Sequence, residues 1–370
     1  MSHRDVLIVG AGMAGLVCAR RLHQAGYRVT LLEKSRGLGG RLATRRLEGT
    51  PLDHGARFIA PLGSLLQALT HHWLRQAVVT TWQPHTYALD RTGQLTPAPL
   101  SLPYYVAPAG MSALGKALAA DLSIHRQQRA IALTPTPEGT WRVVAERSDD
   151  GAVVTHTAAA VVLALPAPQI LPLLAPLGTV PAVAALTQAI AAVVYEPCIT
   201  VMAQYGVPTA QAAPLPCAPT EPWMVVGQAD TPFFWVGLDS SKRQAHEVNV
   251  VIHSSAAFAT QWLDAPDLQP VGAALLAQAG ALIAPWLGHP RRWQVHRWRY
   301  AQVTQPAAQA THGLTVTTPL PLVACGDWCG DRYLDTALES GWAAAAALHA
   351  VWGGAALPEF PVGLFDAAVS

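Results

Sequence analysis

Asp5-Val-Leu-Ile-Val9 runs without a break into Gly10-Ala-Gly12-Met-Ala-Gly15, and the residues that follow place Leu16, Ala19 and Leu22 at helical spacing. The apolar run reads as a fully buried strand, the glycines as a turn, and the periodic stretch as a helix that Gly26 stops. Tyr27 to Leu32 reads as a second strand, ending at Glu33. A glycine pattern alone is weak, but between a strand and a helix, with an acid closing the next strand, it specifies a dinucleotide-binding βαβ unit. Gly10 permits the tight turn, Gly12 lets the backbone approach a pyrophosphate, and Gly15 lets the helix lie close to the strand. Met13 and Ala14 open that helix, whose free N–H groups and partial positive charge face the phosphates. The Glu33 carboxylate can accept from a ribose diol, and it repels a 2′-phosphate.

The next segment selects the nucleotide. Lys34 is followed by Arg36-Gly-Leu-Gly39-Gly40-Arg41, where adjacent glycines admit a second ligand portion and Arg41 can pair with a pyrophosphate. Near the other end, Gly326-Asp327-Trp328 follows a buried strand over Leu322–Cys325 and precedes an alanine-rich helix over Thr336–Val351. A carboxylate at that strand end suits ribityl hydroxyls. Helix N–H groups near Thr336-Ala337 suit a flavin pyrimidine edge, which becomes negative on reduction. FAD is the ligand that needs both ends of the chain.

Between these ends, Arg129–Leu133, Trp141–Arg147 and Val153–Thr157 read as a three-stranded meander turned at Gly139 and Gly151, with Ile131 a further cofactor contact. Val161–Leu165 is another buried strand. Phe233–Leu238 and Val248–His253 read as strands, Ser254–Leu263 and Val271–Leu287 as helices. The expected fold is α/β: a two-domain, Rossmann-like FAD/NAD(P)-binding architecture with a mixed-sheet substrate domain. Residues 1–60, 107–167 and 310–370 form the discontinuous FAD-binding domain, and 61–106 with 168–309 the substrate domain.

Composition agrees with a large soluble core: 51% of the 370 residues are hydrophobic and 13% charged, with a net charge of +1. That balance leaves no electrostatic footprint for nucleic acid. Ala158–Tyr195 lacks any charged residue, but prolines at 166, 168, 172, 176 and 181 break it below the ~20 residues of a membrane span. Five cysteines, an odd number, and a start that runs straight into a strand suggest a reducing cytoplasm. Cys325 and Cys329 lack a second ligand pair, so no metal site is expected.

The strings Glu33-Lys34, Gly39-Gly40-Arg41, Asp53-His-Gly55-Ala56-Arg57-Phe58, Gly326-Asp327-Trp328 and Ser340-Gly341 resemble the flavin amine oxidase superfamily. Leu163-Ala-Leu-Pro166-Ala-Pro168-Gln169, Pro108-Ala-Gly110-Met111-Ser112, Asp239-Ser-Ser-Lys242 and His296-Arg-Trp298-Arg299-Tyr300-Ala301 resemble its renalase-like branch. The resemblance implies non-covalent FAD, held in part by Gly55, Ala56, Arg57 and Phe58, since neither Cys325 nor Cys329 stands in a flavin-attachment context. Departures occur at Arg57, where related sequences have Gln, at Thr336, where they tend to have Gly, and after Lys242, where Arg-Gln replaces Pro-Gly. Position 57 is expected to lie close to the flavin, so the departure there bears on substrate preference.

Renalase-like flavoproteins are associated with oxidising abnormal dihydronicotinamide isomers, passing hydride to flavin N5 and electrons to molecular oxygen. Such chemistry needs positioning more than acid or base groups. Candidate substrate contacts are His296, Trp298, Arg299, Tyr300 and Arg57. The aromatic rings can stack on a nicotinamide, or simply face the core of a strand, and Arg57 can also serve FAD phosphate. Tyr195 and Trp235 either wall the pocket or pack structurally; His71-His72 reads as helix surface. An amine oxidase, a desaturase and a non-catalytic FAD-binding protein are the competing functions.

Overall fold

The computed structural model describes residues 4–99, 102–206, 215–218, 220–243, 247–308, 310 and 313–357. Gln244 and the ends of the 1–60 and 310–370 stretches, at 1–3 and 358–370, lie outside them, as do short pieces of 61–106 and 168–309.

Asp5–Val9 is the centre of a six-stranded sheet, ordered Leu314–Val316, Leu322–Ala324, Ala160–Leu163, Asp5–Val9, Arg28–Glu33, Ser123–Arg126. All neighbours are parallel except the edge strand Leu314–Val316. A parallel sheet is covered on both faces, so its strands are apolar throughout rather than alternating. The alternation instead sorts residues between two cores. Val6, Ile8, Leu31, Val162 and Val323 face the helices Met13–Gln24, Ser112–Leu118 and Leu334–Val351. Leu7, Val9, Leu32, Val161 and Leu322 face the meander Gln128–Pro135, Trp141–Arg147, Val153–Ala158, and the helices Ala167–Leu174 and Pro181–Ala191. Trp141, fully buried, closes this side with its indole N–H donating to the Pro321 carbonyl at 2.9 Å.

A seven-stranded sheet meets the loops that follow those strands, where the Arg41 guanidinium donates to the Tyr300 and Ala301 carbonyls. Its order is Arg292–Gln305, Val194–Tyr205, Val248–Ser254, Phe233–Leu238, Trp223–Gly227, His85–Leu89, Leu95–Pro97. Only Trp223–Gly227 and His85–Leu89 pair in parallel, so the sheet is mixed. One face packs on the helix Gln269–Leu282 through Ile199, Val201, Val236 and Ile252. The other carries Met202, Met224, Trp235 and Val251 against Leu47, Leu52 and Trp82 of the first half of the chain.

Three helices differ from their expected bounds. Ser254 stays in its strand and the Ser255 hydroxyl caps a shorter helix, Ala256–Gln261, by accepting from the Phe258 N–H. The following helix starts at Gln269 and stops at Leu282, with Pro285 opening a separate turn. The last helix begins at Leu334. His72, expected at the surface, is buried in the helix Ser64–Arg75, which lies against the last helix; His71 is exposed. No helix among the described residues is long and apolar enough to cross a membrane.

Candidate active site

Two glycine turns lie side by side at the top of the parallel sheet. Gly10 has φ +105°, and a Cβ on it would stand 2.4 Å from the Ala164 carbonyl oxygen. A Cβ on Gly15 would stand 1.9 Å from the Gly10 carbonyl oxygen, so the helix packs here only without a side chain. Gly12 differs: a Cβ there meets nothing within 4 Å. The Gly39 N–H donates to the Ala11 carbonyl at 2.8 Å, forming a parallel bridge between Gly12 and Gly39, and Gly40 sits at φ +56° beside Gly12. The first helix has no side-chain cap and no acid in its first turn, leaving its N–H groups for an anion. Glu33 is buried beneath the turn, accepting from the N–H groups of Ala11 at 2.9 Å and Ser35 at 2.8 Å.

Arg41 and Asp327 meet. The guanidinium forks onto the carboxylate at 2.5 and 2.7 Å and also donates to the carbonyls of Tyr300 and Ala301, while the Tyr195 hydroxyl donates to Asp327 at 3.2 Å. Two residues assigned to separate parts of a cofactor thus bind one another and join the two ends of the chain. Ser340 clips the Gly326 backbone through both its N–H and carbonyl, and Gly341 lets the last helix approach Ala14 of the first. Tyr333 precedes that helix, held at φ +48° without a side-chain cap. Thr336 is buried and accepts from the Arg332 N–H; Ala337 is half-buried beside it. Two expected cofactor residues point elsewhere. Lys34 donates to Gln169 at the surface, and Ile131 is 42% exposed at a bulge between Ala130 and Ala132.

The loop Gly55–Phe58 is laid on the second glycine turn, the Ala56 N–H donating to the Arg41 carbonyl at 2.8 Å; a Cβ on Gly55 would strike that same oxygen. Phe58 stacks on Tyr104 at 4.0 Å between ring centroids. The Arg57 guanidinium lies 4.5 Å from the Phe234 ring and 5.3 Å from that of Phe58. Burial pushes it down to about 10.

Strand Arg292–Gln305 turns alternate residues to opposite faces. His296 and Trp298, opposite Thr200 and Cys198, point toward the loop at His54, and Tyr300 meets Tyr195 edge-on at 5.6 Å. His54 stacks on Trp298 at 5.3 Å and meets His296 edge-on at 5.1 Å, and the Trp298 indole donates to the His54 carbonyl. Arg299 is on the other face, bonded to Asp264 and the Leu263 carbonyl, so its assignment as a substrate contact is corrected by period-two geometry. Trp235 is fully buried, its indole N–H on the Met224 sulfur, and serves the core. His54 and His253 lie beside these rings although the sequence does not single them out. Only their burial beside Trp298, Trp235 and Arg57, invisible in sequence, brings them in.

Residues 8–73 match the profile of an NAD(P)-binding Rossmann-like domain, and residues 100–349 that of the flavin containing amine oxidoreductases. The chain belongs to that family. It is 37% identical to putrescine oxidase of Kocuria rosea over 106 residues, 26% of this chain and 21% of the relative. It is 41% identical to an L-amino-acid oxidase of Mus musculus over 73 residues, 20% of this chain and 11% of the relative. These matched stretches span about a fifth or less of the curated relatives. Across 94% of this chain and 99% of the other, the fold superposes on putrescine oxidase bound to putrescine with a TM-score of 0.63 at 15% identity.

Membership in the flavin containing amine oxidoreductases implies FAD as the cofactor. The open space at Gly12, the uncapped helix and the bound-down Glu33 fit the diphosphate and ribose of that cofactor. Unpartnered buried atoms at His54 Nδ1 and His253 Nε2 mark polar positions facing the inner side of the seven-stranded sheet.

Burial pushes His54 down to about 3 and His253 well below the ordinary histidine range, so both imidazoles are neutral in the folded chain. The unfolded chain therefore takes up protons first as pH falls. Stability conferred by the neutral rings is complete above pH ~6.5 and is expected to fall toward pH ~5, by up to ~1.4 kcal/mol per pH unit for each ring. Urea midpoints measured between pH 7 and 5 test this, and a flat profile would mean that the rings protonate in place.

Proposed function

We propose that the protein oxidises a small reduced ring of the dihydronicotinamide type, as the renalase-like resemblance suggests, with oxygen as final acceptor. Bound FAD supplies the hydride-accepting centre and the route for electrons to oxygen. The protein's own residues bind, orient and exclude water. The reading rests above all on the His54, His296, Trp298 wall: stacked rings with neutral imidazoles, His296 pushed down to about 4 mainly by burial, suited to a flat uncharged face. No proton needs to leave such a substrate before hydride transfer, so a wall without a charged base suffices.

In this reading Gly10, Gly12, Gly15, Gly39 and Gly40 cradle the diphosphate, Glu33 the ribose, and Arg41 with Asp327 the middle of FAD. Residues 1–60, 107–167 and 310–370 carry the cofactor; they supply every strand of the six-stranded sheet. The seven-stranded sheet, drawn from 61–106 and 168–309, roofs the substrate, although helices Ser64–Arg75, Ala167–Leu174 and Pro181–Ala191 pack on the six-stranded sheet. FAD is held without a covalent link: Cys325 and Cys329 are buried, and burial raises both thiols, Cys329 to about 12. Five free cysteines suit a cytoplasmic setting.

A second reading, oxidation of an amine, is favoured by the names of the relatives and by the stacked Phe58–Tyr104 pair. Anaerobic mixing of the holoprotein with 6-dihydroNAD, with a primary amine and with a carotenoid precursor separates the readings. Rapid bleaching of the flavin band is expected with 6-dihydroNAD. Bleaching by the amine alone would overturn the proposal.

A further inference from the structure

Arg57 is a cation in an aromatic setting without a counter-charge among the described residues. Its guanidinium lies over Phe234, Phe58 and, at 5.8 Å, Trp235, and among the described residues its side chain makes no hydrogen bond or ion pair. The titratable groups that bear on it are Cys198, Tyr333, Tyr104 and His253, none of them a carboxylate. Two buried acids of the preceding hairpin and of the turn after strand Phe233–Leu238 are already matched: Asp53 and Asp239 are paired with Lys242 and Arg243. On the same side of the sheet, Arg45 approaches His296 Nδ1 at 3.4 Å and Asp327 is taken by Arg41.

Arg57 is half-buried, and a guanidinium drawn partly out of water is best compensated by an anionic group, for which ring faces substitute only in part. A protonated amine entering here would meet a like charge. A planar fork with free N–H groups is the group that best recognises carboxylate or phosphate oxygens. We propose that Arg57 receives an anionic oxygen group of the substrate, a carboxylate or a phosphate, and so directs this site toward acidic substrates. The proposal refines the function given above, since dihydronicotinamide nucleotides carry phosphate, but its test does not depend on turnover.

The holoprotein is titrated at constant ionic strength with benzoate and, separately, with inorganic phosphate, following the visible flavin band. A saturable perturbation by at least one anion is expected, and which one responds identifies the group. Arg57→Gln should weaken that binding about tenfold or more, and Arg57→Lys should recover part of it. No perturbation by either anion, or equal binding by parent and Arg57→Gln, overturns the assignment. So does release of FAD from Arg57→Gln on gel filtration, which would give the guanidinium to the cofactor. If 6-dihydroNAD fails to bleach the flavin while Arg57-dependent anion binding persists, the dihydronicotinamide reading falls and the anion site stands.

Discussion

A Gly12→Ala variant is expected to fold as the parent does and to lose FAD. Gly12 has φ −80° and ψ −174°, an extended conformation that alanine adopts without strain, and its Cβ would meet nothing within 4 Å. The stability of the cofactor-free protein should therefore change by no more than ~0.5 kcal/mol. A diphosphate resting on the helix N-terminus would, however, meet that methyl directly. FAD affinity should fall roughly 100-fold or more, equivalent to about 2–3 kcal/mol. Gly15→Ala makes the contrast: its Cβ would lie 1.9 Å from the Gly10 carbonyl oxygen, so helix and turn must separate whether or not FAD is present. That variant should lose ~1–3 kcal/mol of stability as well as the cofactor. Flavin absorbance after desalting, set beside melting of the stripped proteins, checks both. A Gly12→Ala protein that stays yellow at parental affinity would remove the diphosphate from this turn.

The βαβ unit was readable because its signals are local: an apolar run, glycines at fixed offsets, an acid closing the next strand. The same holds for the meander, whose turns carry Gly139 and Gly151 at φ +77° and +73°. Facing directions were not readable. Period-two alternation in His296–Tyr300 gives two faces, but only the helix Gln269–Leu282, packed on one of them, decides that Arg299 points away from the site. Long-range partners were hidden as well. Nothing near position 41 specifies position 327 as its carboxylate, and the pair is formed by the topology that returns the last strand to the sheet. His54 appeared only as one letter of a motif, because a histidine becomes a neutral stacking group through burial, which its neighbours in sequence do not reveal.

The strongest expected loss of stability is at Lys242. Its ammonium bonds Asp239 at 2.6 Å and lies 3.5 Å from Asp53, while Arg243 bonds the same two acids at 2.7 and 2.6 Å. The Lys242 and both Asp side chains have no exposure, and Arg243 has 6%. Two acids and two bases leave the cluster neutral, and burial of all four requires that balance. Asp53 extends the network by accepting from the Met111 N–H and the Thr44 hydroxyl, and its own N–H donates to Asp239. The cluster thus ties the hairpin Thr44–Asp53, which leads into His54 and Arg57, to the turn after strand Phe233–Leu238. Lys242→Met keeps the stem and removes the charge, leaving two buried carboxylates against one guanidinium. The expected cost is ~3–5 kcal/mol, read as a lowered urea midpoint. Asp239→Asn in the same chain restores neutrality, so the double variant should lose less than the sum of the single losses. Additive losses would mean that the four charges act as separate pairs rather than as one balanced cluster.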